Sequence, residues 1–566
     1  MKYLGVFDGH NATAALMVDG RVVGAVQEER LSRVKNDVGF PRRAVAAVLA
    51  QAGVGAGALD GVWVASHYVS RARTPEEVTA GFDRRYERQP RALLAGRLGR
   101  LRRYRRWRAA SRMGERLRVL AGGGLPAERV TFTAHHETHA ATAYHGLRTD
   151  DEPYLVVTMD GGGDGLSGSA WIGAGGQLHL VAELSQEDSL GELYAVTTHL
   201  LGFRPLEHEY KLMGMAPYAA PQYAEQAAAV FSRYLELDPQ QPLRLRRLIP
   251  EPVARIGPRL RRDLERLRFD TVCAGLQLFT ERLLAGWVAA AVRHTGLSRV
   301  LAAGGVFMNV KANKVISELP EVDYFQAFPS AGDESLPFGA CYLAARRGGE
   351  AVEPLAHCYL GNDIGEAEAR AAVVAAGDRV RAEAPADMAG RVAQLLADGE
   401  IVARAAGPME FGARALGNRS ILADPIHQDV VRVINQMIKK RDFWMPFAPV
   451  VRRRQAGRYF HNPKGLPSPY MMNTFDSTER RGEFMAAVHN ADLTARPQLV
   501  EEGQNPAYEA ILERFGERTG RDVLLNTSFN LHGYPIVCTA ADAVGVLLDS
   551  GLRRLVLGPL LVTKQG

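Results

Sequence analysis

The chain has 566 residues, of which 46% are hydrophobic and 23% charged, enough for two to four domains with sizeable cores. Its four cysteines form no CxxC pair, so neither a disulfide framework nor a thiolate zinc site is indicated. The formal net charge is +6, a strand pattern follows Met1 directly, and no run reaches the roughly 18 to 20 apolar residues of a membrane span, so we expect a cytoplasmic protein.

Two similar passages predict a duplicated fold. In residues 4–10 and 155–163 an apolar strand ends in an aspartate, Asp8 or Asp160, followed by glycine and then by another apolar strand. This repeat predicts two related lobes facing one cleft, as in the actin, heat-shock ATPase and acetate kinase superfold, whose glycine turns hold nucleotide phosphates. The alternative is a pair of ordinary hairpins with Asp-Gly turns.

Residues 84–118 hold the excess positive charge. They contain fourteen arginines against Glu87 and Glu115, so the rest of the chain carries six net negative charges. Leucines recur between the arginines at near-helical spacing, which predicts one or two amphipathic helices. Contact with nucleic acid or an anionic membrane surface is one interpretation. We favour a solvated helical flap, so no nucleic-acid or membrane partner is predicted.

A helix with three closely spaced histidines predicts a metal site. His135 and His139 are four residues apart and share a helix face. The segment is not the HExxH pattern, because Glu137 stands at the wrong offset. Asp160, and Asp333 in a glycine-bounded turn, are the expected carboxylate partners. Two histidines and two carboxylates suit Fe, Mn or Zn.

Farther along, the pattern predicts the domain organisation. Residues 272–294 predict a long helix, and residues 299–303 predict a strand that runs into a Gly-Gly turn. The pattern breaks at a glycine pair and a proline near residue 350, and a new helical unit begins near Ile364. We therefore predict one domain over 1–355, including the insert, and a second over 358–566.

The second domain carries a predicted anion site. Arg414 and Arg419 lie five residues apart among glycines, an arrangement that clamps phosphorylated anions. Residues 439–441 add three more cations, and an apolar strand ends in the polar run 526–530. A solvated basic surface is the usual meaning of such charges. That interpretation is disfavoured here because these charges are interspersed with the run Gly-Ala-Arg-Ala-Leu-Gly at 412–417 and with an apolar strand of a buried type.

These motifs together resemble the O-carbamoyltransferases of nodulation-factor, cephem and aminoglycoside biosynthesis, the NodU/CmcH type. The matching motifs are residues 9–16, 27–30 with Lys35, 135–139, 209–218, 304–309 and the C-terminal motifs. The resemblance implies an α/β protein, α+β overall, with an N-terminal actin-like or acetate-kinase-like two-lobed ATPase domain. It also implies a C-terminal YrdC-like α/β domain that forms carbamoyl adenylate, and a homodimer would fit the family.

The resemblance implies transfer of a carbamoyl group from carbamoyl phosphate, with ATP and Mg, to a small-molecule hydroxyl such as that of an antibiotic or a sugar-containing metabolite. A metal, Fe(II) or else Mn or Zn, would act in the N-terminal cleft. The implied site residues are His10 as general base and Lys35 as charge stabiliser; His135, His139, Asp160 and Asp333 for the metal; Gly161, Gly162, Glu209, Lys211, Gly304, Gly305 and Asn309 for the nucleotide; and Arg414, Arg419, Lys439, Arg441, Arg496, Asn526 and Ser528 for carbamoyl phosphate. The alternative for His10 is a structural hydrogen bond.

Other functions fit the sequence less well. A sugar or acetate kinase would share the lobes but would not need the arginine cluster, and it would release ADP. A threonylcarbamoyl-type tRNA-modifying enzyme would account for the insert, but its acceptor is a base amine. A hydrogenase-maturation carbamoyltransferase would be expected to carry CxxC zinc motifs. A chaperone-like ATP-binding module would leave the second anion site unexplained. We expect residues 188–199 and the insert to line the acceptor pocket.

Overall fold

The structure, a computed structural model, describes residues 1–69, 72, 74–87, 113–439 and 442–565. It has two compact units, one formed by Met1–Glu28 and Asn36–Leu355 and the other by Glu29–Lys35 and Ala356–Gly566. The sequence predicted two continuous domains, 1–355 and 358–566. In the structure, the short segment Glu29–Lys35 groups with the second unit instead. Most of the predicted insert, residues 88–112, lies outside the described residues.

The first unit combines strands and helices throughout. Its strands include β1 (Lys2–Phe7), β2 (Thr13–Val18), β3 (Arg21–Gln27), β4 (Gly61–Ala65), β5 (Val130–Thr133), β6 (Tyr154–Gly163), β7 (Leu166–Ala174), β8 (Gln177–Ser185), β9 (Leu235–Leu237), β10 (Leu245–Arg247), β11 (Arg299–Ala303) and β12 (Tyr324–Ala327). Its helices include α1 (Glu28–Ser32), which continues into the second unit, α2 (Arg42–Gln51), α3 (Pro75–Glu87), α4 (residues 113–122), α5 (His135–Leu147), α6 (Leu190–Leu200), α7 (Glu209–Met215), α8 (Pro221–Phe231), α9 (Gly257–Leu264), α10 (Phe269–Thr295), α11 (Val310–Glu318) and α12 (Leu336–Arg347).

The predicted duplication is confirmed by the sheet topology. One sheet has the order β3-β2-β1-β4-β5, with β1, β2 and β3 antiparallel and β4 and β5 parallel to β1. The second has the order β8-β7-β6-β11-β12 with the same directions. This repeated order is that of the actin-like two-lobed fold. It places Asp8, directly after β1, and Asp160, in the second half of β6, at equivalent positions.

The long predicted helix is also confirmed, as α10. It extends over Phe269–Thr295 and ends at Gly296, whose φ of +72° is the left-handed conformation that glycine adopts at helix ends. Basic Arg293 and His294 lie in its last turn, where they complement the helix dipole. No helix in the described part of the chain is long and apolar enough to cross a membrane.

Helix α5 is buried nearly all round because α12 approaches it very closely. Gly339 of α12 makes this approach possible: a Cβ there would lie 2.0 Å from the carbonyl oxygen of Thr138. The residue at this contact must therefore lack a side chain. The close packing fixes α5, the helix that carries the paired histidines.

The second unit is built on a large mixed sheet of order β13-β23-β22-β14-β15-β21-β16-β20, beside the small sheet β17-β18-β19. Its strands include β13 (Val380–Glu383), β14 (Val402–Ala405), β15 (Arg419–Ala423), β16 (Ala448–Arg452), β17 (Phe460–His461), β18 (Phe475–Ser477), β19 (Thr494–Ala495), β20 (Gln498–Val500), β21 (Val523–Ser528), β22 (Arg554–Leu557) and β23 (Leu560–Lys564). Its helices include α13 (Glu366–Ala376), α14 (Met388–Ala397), α15 (Asp429–Ile434), α16 (Pro506–Thr519) and α17 (Ala540–Leu548).

Apolar cores cover both faces of this large sheet. Successive residues of β21 point to opposite faces, so Leu524 packs in the core with α14 and α16, whereas Leu525 packs in the core with α13 and α17. A central strand buried on both faces is continuously apolar. This explains why the sequence 523–525 is apolar up to the point where the polar residues begin.

We expect Gly339→Ala to destabilise the first unit, because the new methyl group would overlap the carbonyl oxygen of Thr138 and force α12 away from α5. Overpacking of this kind costs about 1 to 3 kcal/mol. Gly545→Ala in α17 is the matched control, since nothing lies within 4 Å of its added Cβ. Thermal unfolding should show a lower Tm for Gly339→Ala only; equal Tm values in both variants would contradict the proposed packing constraint.

Candidate functional site

The paired histidines and two carboxylates predicted as a metal site meet at one point of the first unit. His139 Nε2 lies 3.3 Å from Asp160 Oδ2 and 3.4 Å from Asp333 Oδ1, and His135 Nε2 lies 3.5 Å from the same two atoms. One ligand atom from each residue lies within 4.8 Å of the others. The histidines come from one face of α5, Asp160 from β6, and Asp333 from the turn before α12.

The four side chains fit a divalent metal. Ligand atoms around an ion bound at about 2.0 to 2.1 Å are expected roughly 3 to 3.5 Å apart. The four imidazole–carboxylate distances, 3.3 to 3.5 Å, lie in this range. His135 Nε2 and Asp333 Oδ1 are buried, and neither has a hydrogen-bond partner among the residues that the structure describes. Buried polar atoms without partners are costly unless something binds them. The donor set of two imidazoles and two carboxylates matches Fe, Mn or Zn.

The electrostatics of the two carboxylates differ. Burial would raise the pKa of Asp160, but the adjacent imidazoles of His135 and His139 outweigh it and hold that pKa well below its ordinary value. Burial, and then the negative charge of Asp160, raise the pKa of Asp333 well above its ordinary value. Without a cation the pair thus favours one proton on Asp333. A divalent cation would favour the ionised form of both.

His10 lies beside this cluster. Its Nε2 is 3.6 Å from Asp333 Oδ2, and its side chain keeps 31% of its surface exposed. The surrounding protein desolvates the ring and lowers the pKa of His10, which favours the neutral imidazole. Lys35, the other predicted catalytic residue, belongs to the segment grouped with the second unit, where its Nζ is 3.0 Å from Glu29 Oε2.

The glycine turns predicted for the nucleotide also lie at the cluster. Gly161 and Gly162 follow Asp160 directly near the end of β6, and the Gly161 amide donates to Asp160 Oδ1. Gly304 and Gly305 follow β11 and approach the same aspartate, since a Cβ on Gly305 would be 3.3 Å from Asp160 Oδ1. The structure thus brings these turns together around one carboxylate.

The other residues predicted for the nucleotide have contacts within the fold. Asn309 caps α11 by accepting from Ala312 N, and its amide exchanges hydrogen bonds of 2.9 Å with Gln277. Burial raises the pKa of Glu209 to about 7, and its carboxylate accepts from Leu206 N. The ammonium of Lys211 lies 5.4 Å from the Phe203 ring centre.

In the second unit, residues 410–418 form a tightly held loop that leads into β15. Glu410, which is 1% exposed, accepts the backbone N–H groups of Leu416 and Arg419 through Oε1. Arg404 donates a hydrogen bond of 2.8 Å to the Gly417 carbonyl. These contacts fix the loop that carries Arg414, whose side chain is half-buried.

Arg419 is placed differently from Arg414. Its guanidinium is fully buried and donates to the carbonyl oxygens of Gly407, Asn418 and Asn362. In this structure it therefore supports the loop from inside. Arg496 is half-buried, just after β19.

The polar residues at the end of β21 lie beside this loop. Asn526 donates to the Ala415 carbonyl and to Gln498 Oε1, and Ser528 donates to Asn530 Oδ1. The side chain of Lys439 and the whole of Arg441 lie outside the described residues.

Sequence reasoning missed the residues that hold these side chains in place. Ser66 Oγ lies 2.7 Å from His135 Nδ1, and Asp164 Oδ2 accepts the His135 backbone N–H. Gly163 leaves room for the His135 ring, since a Cβ there would lie 2.1 Å from its Cγ. Only the glycine run 161–163 carried a signal in the sequence.

Comparisons with known proteins agree over both halves of the chain. The family models "Carbamoyltransferase N-terminus" and "Carbamoyltransferase C-terminus" match residues 2–342 and 393–564. Nodulation protein NolNO of Sinorhizobium fredii is 33% identical over 570 residues, covering 98% of this chain and 79% of that protein. Nodulation protein NolO of Bradyrhizobium diazoefficiens is 34% identical over 444 residues, covering 76% and 79%. The 3'-hydroxymethylcephem-O-carbamoyltransferase of Amycolatopsis lactamdurans is 35% identical over 163 residues, covering 29% and 30%.

The metal site is tested by the same change at two neighbouring histidines. We expect His139→Gln to lose bound metal, because His139 Nε2 faces both carboxylates. His136→Gln is the control, since His136 is equally buried but its Nδ1 pairs with Thr158 Oγ1, outside the cluster. Elemental analysis after dialysis against Fe²⁺ or Mn²⁺ should separate the two. Equal retention of metal in both variants would contradict the site.

Proposed function

The chain belongs to the carbamoyltransferase family, and we propose that it transfers a carbamoyl group from carbamoyl phosphate to a hydroxyl of a natural product through carbamoyl adenylate. The single observation that carries the proposal is one chain with both a buried His/Asp metal cluster and a separate arginine-bearing loop. The two family matches cover these two parts separately. Two chemically different sites suit activation of the carbamoyl group followed by its transfer.

The first step is assigned to the second unit. Water cleaves carbamoyl phosphate, phosphate leaves, and an oxygen of the resulting carbamate attacks the α-phosphorus of ATP. The bond from that phosphorus to pyrophosphate breaks, giving carbamoyl adenylate. Magnesium would accompany ATP. Arg414 and Arg496 would bind the phosphorylated anions, since guanidinium groups form bidentate hydrogen bonds to them.

Neutral groups and the remaining cations complete this proposed site. Asn526 lies against the arginine loop through the Ala415 carbonyl, and Ser528 ends the same strand. Lys439 and Arg441 remain proposals from the sequence. Arg419 would act by shaping the loop, because its donors are already bound to carbonyl oxygens.

The second step is assigned to the metal cluster of the first unit. A metal held by His135, His139, Asp160 and Asp333, with Fe(II) proposed first and Mn or Zn as alternatives, would supply Lewis acidity toward the adenylate. The glycine turns at 161–162 and 304–305 leave room for a nucleotide backbone to approach.

His10 would take the proton from the acceptor hydroxyl. A neutral imidazole is required for this, and desolvation favours that form. The imidazolium formed at Nε2 would lie 3.6 Å from Asp333 Oδ2, which stabilises its charge. The acceptor oxygen then bonds to the carbamoyl carbon and AMP leaves. Lys35 would stabilise negative charge at that carbon.

The proposal is tested by identifying the products. The protein is incubated with ATP, carbamoyl phosphate and a panel of aminoglycosides, cephems and other hydroxylated natural products. We expect AMP, pyrophosphate and an acceptor heavier by one carbamoyl group. Release of ADP with a phosphorylated acceptor would favour an actin-fold kinase instead, and modification of tRNA alone would favour a threonylcarbamoyl-type enzyme.

Arg414→Ala should separate the two steps. Loss of a charged partner of the phosphorylated anion costs roughly 2 to 5 kcal/mol when the contact is buried. Carbamoyl-phosphate-dependent exchange of pyrophosphate into ATP should therefore collapse, whereas carbamoyl adenylate added from outside should still be used. Arg381→Ala, an exposed arginine on β13, is the control. Normal exchange in Arg414→Ala would make Arg414 a structural residue.

His10→Asn should block transfer alone. Asparagine keeps a similar size and a hydrogen-bonding edge but takes up no proton, so the adenylate should form and then hydrolyse. Removing a general base typically slows a reaction by about 10²- to 10⁴-fold. Single-turnover transfer is measured alongside Tm. A transfer rate within a few-fold of the unsubstituted protein, at unchanged Tm, would assign the base role elsewhere.

A further inference from the structure

The loop after β4 has an unusual backbone. Ser66 has a φ of +67°, in the left-handed region that non-glycine residues rarely adopt. It is only 1% exposed, so water does not stabilise this conformation. Such a residue persists only where surrounding contacts over-determine it, and these conformations cluster at functional sites. The contacts of Ser66 therefore show what the strain is used for.

The side chain of Ser66 contacts a metal ligand of the proposed site. Its Oγ lies 2.7 Å from His135 Nδ1, whereas His135 Nε2 faces Asp160 and Asp333. With Nε2 directed at a metal, Nδ1 carries the ring proton and donates it to Ser66 Oγ. This hydrogen bond fixes the rotation of the His135 ring.

Arg116 holds the backbone of this loop by hydrogen bonds. The Arg116 guanidinium donates to the carbonyl oxygens of Ser66 at 2.7 Å, His67 at 3.2 Å and Ala65 at 3.2 Å. Its Nε and Nη2 also pair with both oxygens of Asp8, at 2.8 and 2.6 Å. Arg116 thus ties the Ser66 loop to the end of β1, two residues before His10.

Asp164 also holds the backbone of this loop. It accepts the backbone N–H groups of His67 and Tyr68 at 3.0 and 2.9 Å, and that of His135 at 2.9 Å. The Ser66 loop and the start of α5 therefore share one carboxylate. The distance between Ser66 and His135 is fixed by the backbone as well as by the side chains.

We propose that Ser66 is a positioning residue that sets the orientation of the His135 ring, and that Arg116 and Asp164 hold it in its strained conformation for this purpose. The inference rests on the metal site proposed above. It extends the control of metal affinity to residues outside the four ligands. It also gives Arg116, which lies near the C-terminal end of the arginine-rich insert, a defined role at the proposed metal site.

The test is a titration of metal-free full-length protein with Co²⁺, followed by the visible absorption of the bound ion. Losing such an outer hydrogen-bond partner typically weakens metal binding about 10- to 100-fold. We expect that loss in Ser66→Ala, which keeps the strain, and also in Ser66→Gly, which removes the strain together with the hydroxyl. We expect a loss in the same direction for Arg116→Gln.

Thr158→Val is the matched control. Thr158 Oγ1 lies 2.9 Å from Nδ1 of His136, the buried histidine beside the cluster, so the substitution removes an equivalent hydroxyl from a histidine outside the metal site. Its Co²⁺ affinity should stay within about three-fold of that of the unsubstituted protein, well below the 10-fold threshold. The Tm of each variant is measured to confirm folding.

The outcomes separate this inference from the metal site itself. If the unsubstituted protein binds no Co²⁺, the metal site and the role of Ser66 both fall. If it binds Co²⁺ and Ser66→Ala binds equally well at unchanged Tm, the role of Ser66 falls while the metal site stands. Loss in Ser66→Ala but not in Arg116→Gln would overturn the role of Arg116. Equal loss in Thr158→Val would overturn the specificity of the Ser66 contact.

Discussion

The burial of Asp160 and Asp333 against the same pair of imidazoles is the constraint on which the first unit depends. The side chains of these carboxylates are only 18% and 8% exposed, and two buried carboxylates in such contact cannot both ionise without a nearby cation. Within the described residues, histidines contact Asp160 and Asp333, and no arginine or lysine contacts either carboxylate. The turns and helices around them bring both carboxylates and both imidazoles to one point, and this donor set fits a cation.

The duplicated fold shows the same strand-end carboxylate used in two ways. Asp8 directly follows β1, and Asp160 lies at the equivalent place in β6. Asp8 is neutralised within the protein by a bidentate contact with Arg116. Asp160 instead faces His135 and His139. One repeat has thus become a support and the other a candidate metal ligand, and Arg116 physically connects the two through the Ser66 loop.

The sequence predicted the metal site but not what holds it. Helical spacing placed His135 and His139 on one face, and glycines beside the aspartates marked the turns. Ser66 has no such signal, because its left-handed conformation occurs without glycine or asparagine and its partner His135 is 69 residues away. The sequence likewise presented Arg414 and Arg419 as a pair. Which guanidinium turns inward is decided by carbonyl groups of the folded loop, such as that of Asn362, 57 residues away.

The short segment Glu29–Lys35 shows that the two halves of the sequence are not separate folding modules. Arg30, 2% exposed, donates to the Gly412 carbonyl in the arginine loop, and Arg33 donates to the carbonyls of Pro535 and Ile536. A buried arginine is costly unless its hydrogen bonds are made, and these carbonyls would lose their partners in a chain beginning at residue 356. The loop that carries Arg414 is therefore shaped partly by residues encoded more than three hundred positions earlier. The second unit therefore depends for its folding on a segment from the N-terminal part of the sequence.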